Sequence, residues 1–260
     1  MLTVLTSGKA APGVTTSTWA LALNWTRPVL VADCDPAGGD MAPGLLAGRV
    51  TTDRGLLSWS TAARRDLKAD AAAALLLDHA VQLPEQADVS LVPGFATTAQ
   101  GASFTTGTWE RLALALASSA ATIERDVLVD AGRLVHDRGG WPVLRAADRV
   151  LLVVRPSVRS VHAAQDAAQR LRQQLGDLFR VSTLVVGRGP YSAKEVADAL
   201  HLPLAGVLPD DPTTASFLSD GTSAGARTQR RSALLREAAT LAAQLAATAE
   251  SAGEPAAVAG

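Results

Sequence analysis

Lysine is scarce in this chain: Lys9, Lys68 and Lys194 are the only three among 260 residues. The single cysteine, Cys34, has no partner for an internal disulfide and suits a reducing cytoplasm. Aromatic residues make up 4% against 48% hydrophobic residues overall, so aliphatic side chains and alanine must build the core. A net charge of −1 gives no global field to draw nucleic acid. No stretch approaches the roughly 18 consecutive apolar residues of a membrane span. The opening Met1–Ser7 lacks the basic region and apolar core of a signal peptide and reads as a strand. The four histidines share no metal-ligand spacing, and no Ser/His/Asp nucleophile set assembles. The expectation is a cytoplasmic protein, peripheral at most to the inner face of the membrane.

What the chain does contain is a strand–helix rhythm. Short aliphatic runs at Leu2–Thr6, Val29–Ala32, Val89–Val92, Asp126–Val129, Arg149–Val154, Ser182–Val186 and Ala205–Leu208 read as parallel strands buried on both faces. Helical patterns fall between them at Thr15–Asn24, Thr108–Ala121, Arg159–Leu175, Ala193–Leu200 and Ser232–Ala247. Two further helices, Gly55–Arg65 and Asp70–Gln82, are expected to cover a sheet edge. This alternation predicts an α/β fold, a doubly wound, mostly parallel sheet with helices on both faces and ligands at the carboxyl ends of the strands. Residues 1–248 are expected to form one domain and 249–260 a disordered tail.

The loop after the first strand carries the main chemical signal. Gly8, four intervening residues, Gly13 and Thr15 follow the phosphate-binding pattern G-x-x-x-x-G-K-[ST], with Val14 in place of the lysine. The backbone from Gly8 through Ala11, Pro12 and Gly13 can still converge on a phosphate at the positive end of the next helix. Thr15 is placed to offer its hydroxyl to Mg²⁺ and Thr16 to meet an α-phosphate. The alternative is a glycine-rich turn that binds nothing. The second strand ends in Asp33-Cys34-Asp35-Pro36-Ala37-Gly38-Gly39-Asp40. Asp33 and Asp35, two residues apart on an emerging strand, share a side; their mutual repulsion calls for a cation. Asp33 is assigned to the Mg²⁺ shell, Asp35 to orienting an attacking water and Asp40 to a loop responsive to the γ-phosphate, with Asx-turn or capping roles as the alternative for Asp35 and Asp40. The strand Asp126–Val129 leads into Asp130-Ala131-Gly132-Arg133, where Asp130 would hold Mg²⁺ through water and Gly132 N–H would sense the γ-phosphate. Pro209-Asp210 could lie against a base, or could simply turn the chain into a helix near Thr213.

Together these motifs resemble the ParA/MinD group of deviant-Walker P-loop ATPases, from Leu2 to about Leu245. Lys9-Ala10-Ala11-Pro12-Gly13-Val14-Thr15 is similar to the group's K-G-G-x-G-K-[ST] loop. Lys9 falls on the signature lysine that reaches the partner's nucleotide across a dimer interface, and Val14 on the intramolecular lysine. Asp33–Gly38 is similar to D-x-D-P-x-G, Asp130-Ala131-Gly132 to the group's D-T/A-x-G element, and Pro209-Asp210 to its adenine-flanking loop. The adenine-reading asparagine is replaced by Val186-Gly187-Arg188. The similarity is greatest to MinD-like and TadZ/CpaE-like proteins of high-GC bacteria. It implies ATP and Mg²⁺ as cofactors, a nucleotide-dependent homodimer, and a protein partner in pilus secretion, division or partition. The hydrolysis it implies is weak, because Val14 removes a cation where transition-state charge develops.

Two other function classes stand beside this one. A pseudo-ATPase scaffold would keep the dimerising face without turnover, and a metabolic P-loop enzyme would need a substrate-binding insertion. The stripe Leu234, Leu235, Ala238, Leu241, Ala242 and Leu245 reads as a docked terminal helix or as an amphipathic membrane helix. Arg64, Arg65, Arg227, Arg230 and Arg231 read as a solvated face or as a nucleic-acid contact.

Overall fold

Successive side chains along the strands alternate between two faces of one sheet, and the central strands are buried on both. The structure, a computed structural model, describes residues 1–8, 12–44, 46, 51, 53–63, 67–83, 86–134, 140–176, 180–221 and 231–253. Its strands are β1 (Leu2–Ser7), β2 (Val29–Asp33), β3 (Val81–Leu83), β4 (Gln86–Val92), β5 (Asp126–Arg133), β6 (Arg149–Val154), β7 (Val181–Val186) and β8 (Leu204–Leu208). They lie in the order β3-β4-β2-β5-β1-β6-β7-β8. Every neighbouring pair is parallel except β3–β4.

The helices are α1 (Val14–Ala22), α2 (Leu56–Ala62), α3 (Ala69–Asp78), α4 (Thr98–Ala102), α5 (Thr106–Thr122), α6 (Trp141–Ala146), α7 (Val158–Leu175), α8 (Ala193–Leu200), α9 (Pro212–Asp220) and α10 (Ala233–Gly253). Val4, Leu30, Ala32, Val127 and Val129 join one core with α2, α3 and α5 to α8. Leu5, Val29, Val31 and Leu128 join the other with α1, α9 and α10. The sheet is therefore doubly wound, as the strand–helix rhythm predicts. Side-chain caps start several helices where the sequence places them. Ser157 accepts from Ser160 N–H at α7, and Ser192 and Glu195 form a capping box at α8.

Several elements depart from the sequence reading, and α4 and α6 have no counterpart in it. The expected helix Asp70–Gln82 stops at Asp78, and Val81–Leu83 turns back as a short antiparallel edge strand on β4. β5 continues four residues beyond Val129 to Arg133. α10 runs to Gly253, beyond the Ala247 at which the sequence reading ends that helix. The apolar stripe of α10 is docked: Leu234, Ala238, Leu241, Ala242 and Leu245 are buried in the core shared with α1 and the sheet. No described helix is long and apolar enough to cross a membrane.

Candidate phosphate-loop site

β1, β2 and β5 stand side by side, so their carboxyl ends bring the sequence motifs to one corner. Gly13 caps α1 in the left-handed conformation, at φ 103°, and Pro12 before it is buried. Thr15, in the first turn of α1, donates its hydroxyl to Asp130 Oδ2 at 2.6 Å. The other oxygen of Asp130 accepts from Gly132 N–H at 2.8 Å. A hydroxyl and a carboxylate from motifs 115 residues apart are thus already in contact. Thr16 is half-buried one position further along α1. Lys9 and Ala11 lie outside the described residues; Gly8 is described, and a Cβ there would collide with the Ala163 carbonyl of α7.

The parallel register places Asp33 beside Asp130. Asp33 is 1% exposed; its Oδ2 accepts from Met41 N–H at 3.4 Å, and its Oδ1 has no hydrogen-bond partner. Gly39 and Gly94 enclose it so closely that a Cβ on either would collide with its atoms. Burial, with the Asp130 charge second, pushes the Asp33 carboxyl well above its usual range. Burial also raises Asp130 to about 6, against the pull of its bonds from Thr15 and Gly132. Asp35 is raised by burial as well, while the Ala37 N–H and the charge of Arg133 pull it down. Asp35 accepts from Ala37 N–H at 2.8 Å, an Asx-type contact, and its carboxylate occupies the space a Cβ on Gly132 would need. Asp40 is exposed on the same loop, and its charge raises both Asp35 and Asp130. The loop is anchored by Gly39 N–H on the Phe95 carbonyl at 2.7 Å. Phe95 in turn packs edge-on against Phe104 and Trp109.

The donor set fits a hard divalent cation. It offers one hydroxyl, from Thr15, and carboxylate oxygens of Asp130 and Asp33, one of them buried without a partner. Among the described residues no three His, Cys, Asp or Glu side chains are placed to hold a metal ion together, so phosphate and water oxygens would have to complete the shell. Mg²⁺ bound there would neutralise charge on phosphate oxygens.

The Val14 side chain takes no place in that polar corner. It is 7% exposed and packs in the apolar core with Leu5, Val186 and Leu208. On the opposite flank, Arg155 Nη1 donates to Asp210 Oδ1 at 3.2 Å and Arg188 N–H to Asp210 Oδ2 at 3.1 Å. A Cβ on Gly187 would lie 2.5 Å from the same carboxylate. Pro209 leads into this loop and Asp211 caps α9 by accepting from Thr214 N–H at 3.1 Å. Asp126 sits at the other end of β5, bonded to the Met1 ammonium at 2.8 Å and to Arg27 and Trp25, far along the strand from the site. Of the arginines grouped in the sequence, Arg64, Arg65, Arg227 and Arg230 lie outside the described residues.

Sequence reasoning passed over Thr6, whose hydroxyl donates to the Gly132 carbonyl at 3.1 Å, and the enclosing Gly94. The Pro93-Gly94 pair after β4 was the available signal for the second.

No protein-family model matches this chain, and no curated protein sequence matches it. Solved structures do. A ParA family ATPase from Chlorobium tepidum TLS superposes with a TM-score of 0.72 over 93% of this chain and 98% of its own, at 20% identity. The septum site-determining protein MinD from Pyrococcus horikoshii OT3, solved with Mg-ADP, gives 0.70 over 98% and 100%, at 17% identity. A chain of the MinC:MinD cell division protein complex of Aquifex aeolicus gives 0.70 over 95% of each chain, at 19% identity. The chain has the fold of ParA- and MinD-type P-loop ATPases.

Proposed function

We propose that this chain binds ATP with Mg²⁺ and works as a nucleotide-switched dimeric positioning protein of the MinD/ParA type, with weak hydrolysis. The observation that carries the reading is the 2.6 Å bond between the Thr15 hydroxyl and Asp130, at the head of the helix that follows the glycine loop. In this reading Gly8, Ala11, Pro12, Gly13, Val14, Thr15 and Thr16 line the phosphates, and Gly132 N–H meets the terminal one. Thr15, Asp33 and Asp130 hold Mg²⁺, Asp35 orients water, Asp40 follows the γ-phosphate, and Lys9 serves the partner's nucleotide. Pro209 and Asp210 flank the base. The MinD structure solved with Mg-ADP, the MinC:MinD complex and a putative plasmid partition protein of Borrelia burgdorferi bound to AMPPNP support ligand and partner class alike. Pilus secretion, division or partition supplies the partner, the setting is cytoplasmic, and membrane contact is peripheral at most.

Val14 favours a second reading, a scaffold that dimerises with little or no turnover. Its side chain is committed to the apolar core and supplies no charge to the phosphates. Calorimetry with Mg-ATP, sedimentation with ATP and ADP, and turnover of wild type and Lys9→Ala separate the two. Binding with ATP-dependent dimerisation and Lys9-dependent turnover establishes the switch. Absence of Mg-ATP binding, or dimerisation indifferent to nucleotide, rejects it.

A further inference from the structure

The corner around Thr15 and Asp130 gathers four carboxylates, those of Asp33, Asp35, Asp40 and Asp130, and would receive a polyanion. One divalent cation leaves that balance strongly negative, and Val14 adds nothing to it. An arginine reaches the same corner from β5, the strand that carries Asp130. β5 does not end at Asp130: after an irregularity between Leu5 and Ser7, its pairing with β1 resumes with Arg133 beside Ser7. Ser7 directly precedes Gly8, the first residue of the loop. Two bonds fix this extension, Thr6 Oγ1 to the Gly132 carbonyl at 3.1 Å and Leu134 N–H to the Ser7 carbonyl at 2.8 Å. Gly132 turns with φ 59°, which brings Arg133 out beside the Asp35 carboxylate, where its side chain is exposed and its charge acts on Asp35.

We propose that Arg133 supplies the cation missing at Val14 and binds the outermost phosphate of a nucleoside triphosphate held by the loop. The inference rests on the nucleotide-binding reading above. A lysine at Val14 would approach from within the loop, whereas Arg133 approaches from its flank, on the strand that also carries Asp130 and Gly132. A guanidinium suits this task because its planar fork can take two phosphate oxygens at once.

The test is calorimetric titration of the full chain with Mg-ATP and with Mg-ADP, for wild type, Arg133→Gln and Arg133→Lys. Apo unfolding midpoints serve as the control for folding. A lost charge-assisted contact corresponds to about tenfold or more in Kd. Arg133→Gln is expected to weaken Mg-ATP by that factor while Mg-ADP changes less than about threefold, and Arg133→Lys to keep most of the affinity. Unchanged Mg-ATP affinity in Arg133→Gln overturns the assignment, and so does an equal loss for both nucleotides. If wild type binds and the variant matches it, the role of Arg133 falls and the nucleotide reading stands. If wild type binds neither nucleotide, both fall together.

Discussion

At Asp130, hydrogen bonding and burial act in opposite directions, and burial prevails. Its carboxyl stands at about 6 in the folded chain, despite donors from Thr15 and Gly132. An unfolded aspartate titrates near ~3.9, so the folded state holds its proton more tightly and this group's favourable contribution is complete below about pH 4. That contribution is lost as pH rises through about 6. Without Mg²⁺ the cost above that range is on the order of 3 kcal/mol. Asp33, raised in the same direction, adds to it. Asp130→Asn should therefore gain stability over wild type between pH 4 and 6.5 in metal-free urea unfolding, and should lose Mg-ATP binding. A stability gap that does not change with pH would count against a buried carboxylate there. Val14→Lys tests the neighbouring position: a charge placed among Leu5, Val186 and Leu208 should cost about 2–4 kcal/mol in the apo protein. Mg-ATP should then stabilise this variant more than it stabilises wild type. Asp33 and Asp130 were legible because each ends an aliphatic run, and Asp35 because it lies two residues beyond Asp33. The closure of Gly39 and Gly94 around Asp33 was not, because it depends on how separate loops approach.

Among the elements, α7 and the phosphate loop are coupled through one missing methyl group. Gly8 lies against the Ala163 carbonyl with no room for a Cβ. Gly8→Ala must move either the loop or the helix backbone, and should destabilise the chain by about 1–3 kcal/mol in denaturant titration. It should weaken Mg-ATP binding as well; a fully stable variant would show that the two segments move apart freely. Strands buried on both faces were the most legible elements, since continuous aliphatic runs leave few alternatives. β3 was hidden because Ala71–Leu83 is rich in alanine and leucine, and its helix ends where His79 and Ala80 break into a turn toward β4. α4 and α6 have five and six residues, too few to show a helical period. The extension of β5 to Arg133 was illegible for another reason: Asp130-Ala131-Gly132 reads as a loop until Ser7 is known to pair beside it.

For the whole molecule, a ligand that binds only the folded state stabilises it by mass action. Mg-ATP at about a hundred times its Kd should add about 2.7 kcal/mol. For a chain of this size that is a rise of roughly 5–10 °C in unfolding midpoint, read by scanning calorimetry. Chelating the metal should remove most of it, and a midpoint indifferent to both additions would contradict a shared Mg-nucleotide site. The sheet order also sets a schedule for how the molecule is made. Of the described strands β1 leaves the ribosome before the others, yet its two neighbours are β5, beginning at Asp126, and β6, beginning at Arg149. At about 5–20 residues per second, the oldest strand waits roughly 6–25 s for its first partner. Until then its run of buried side chains is open to chaperones and to other chains. The phosphate loop hangs from the end of that strand, so it is synthesised long before β5 brings Asp130 to its side.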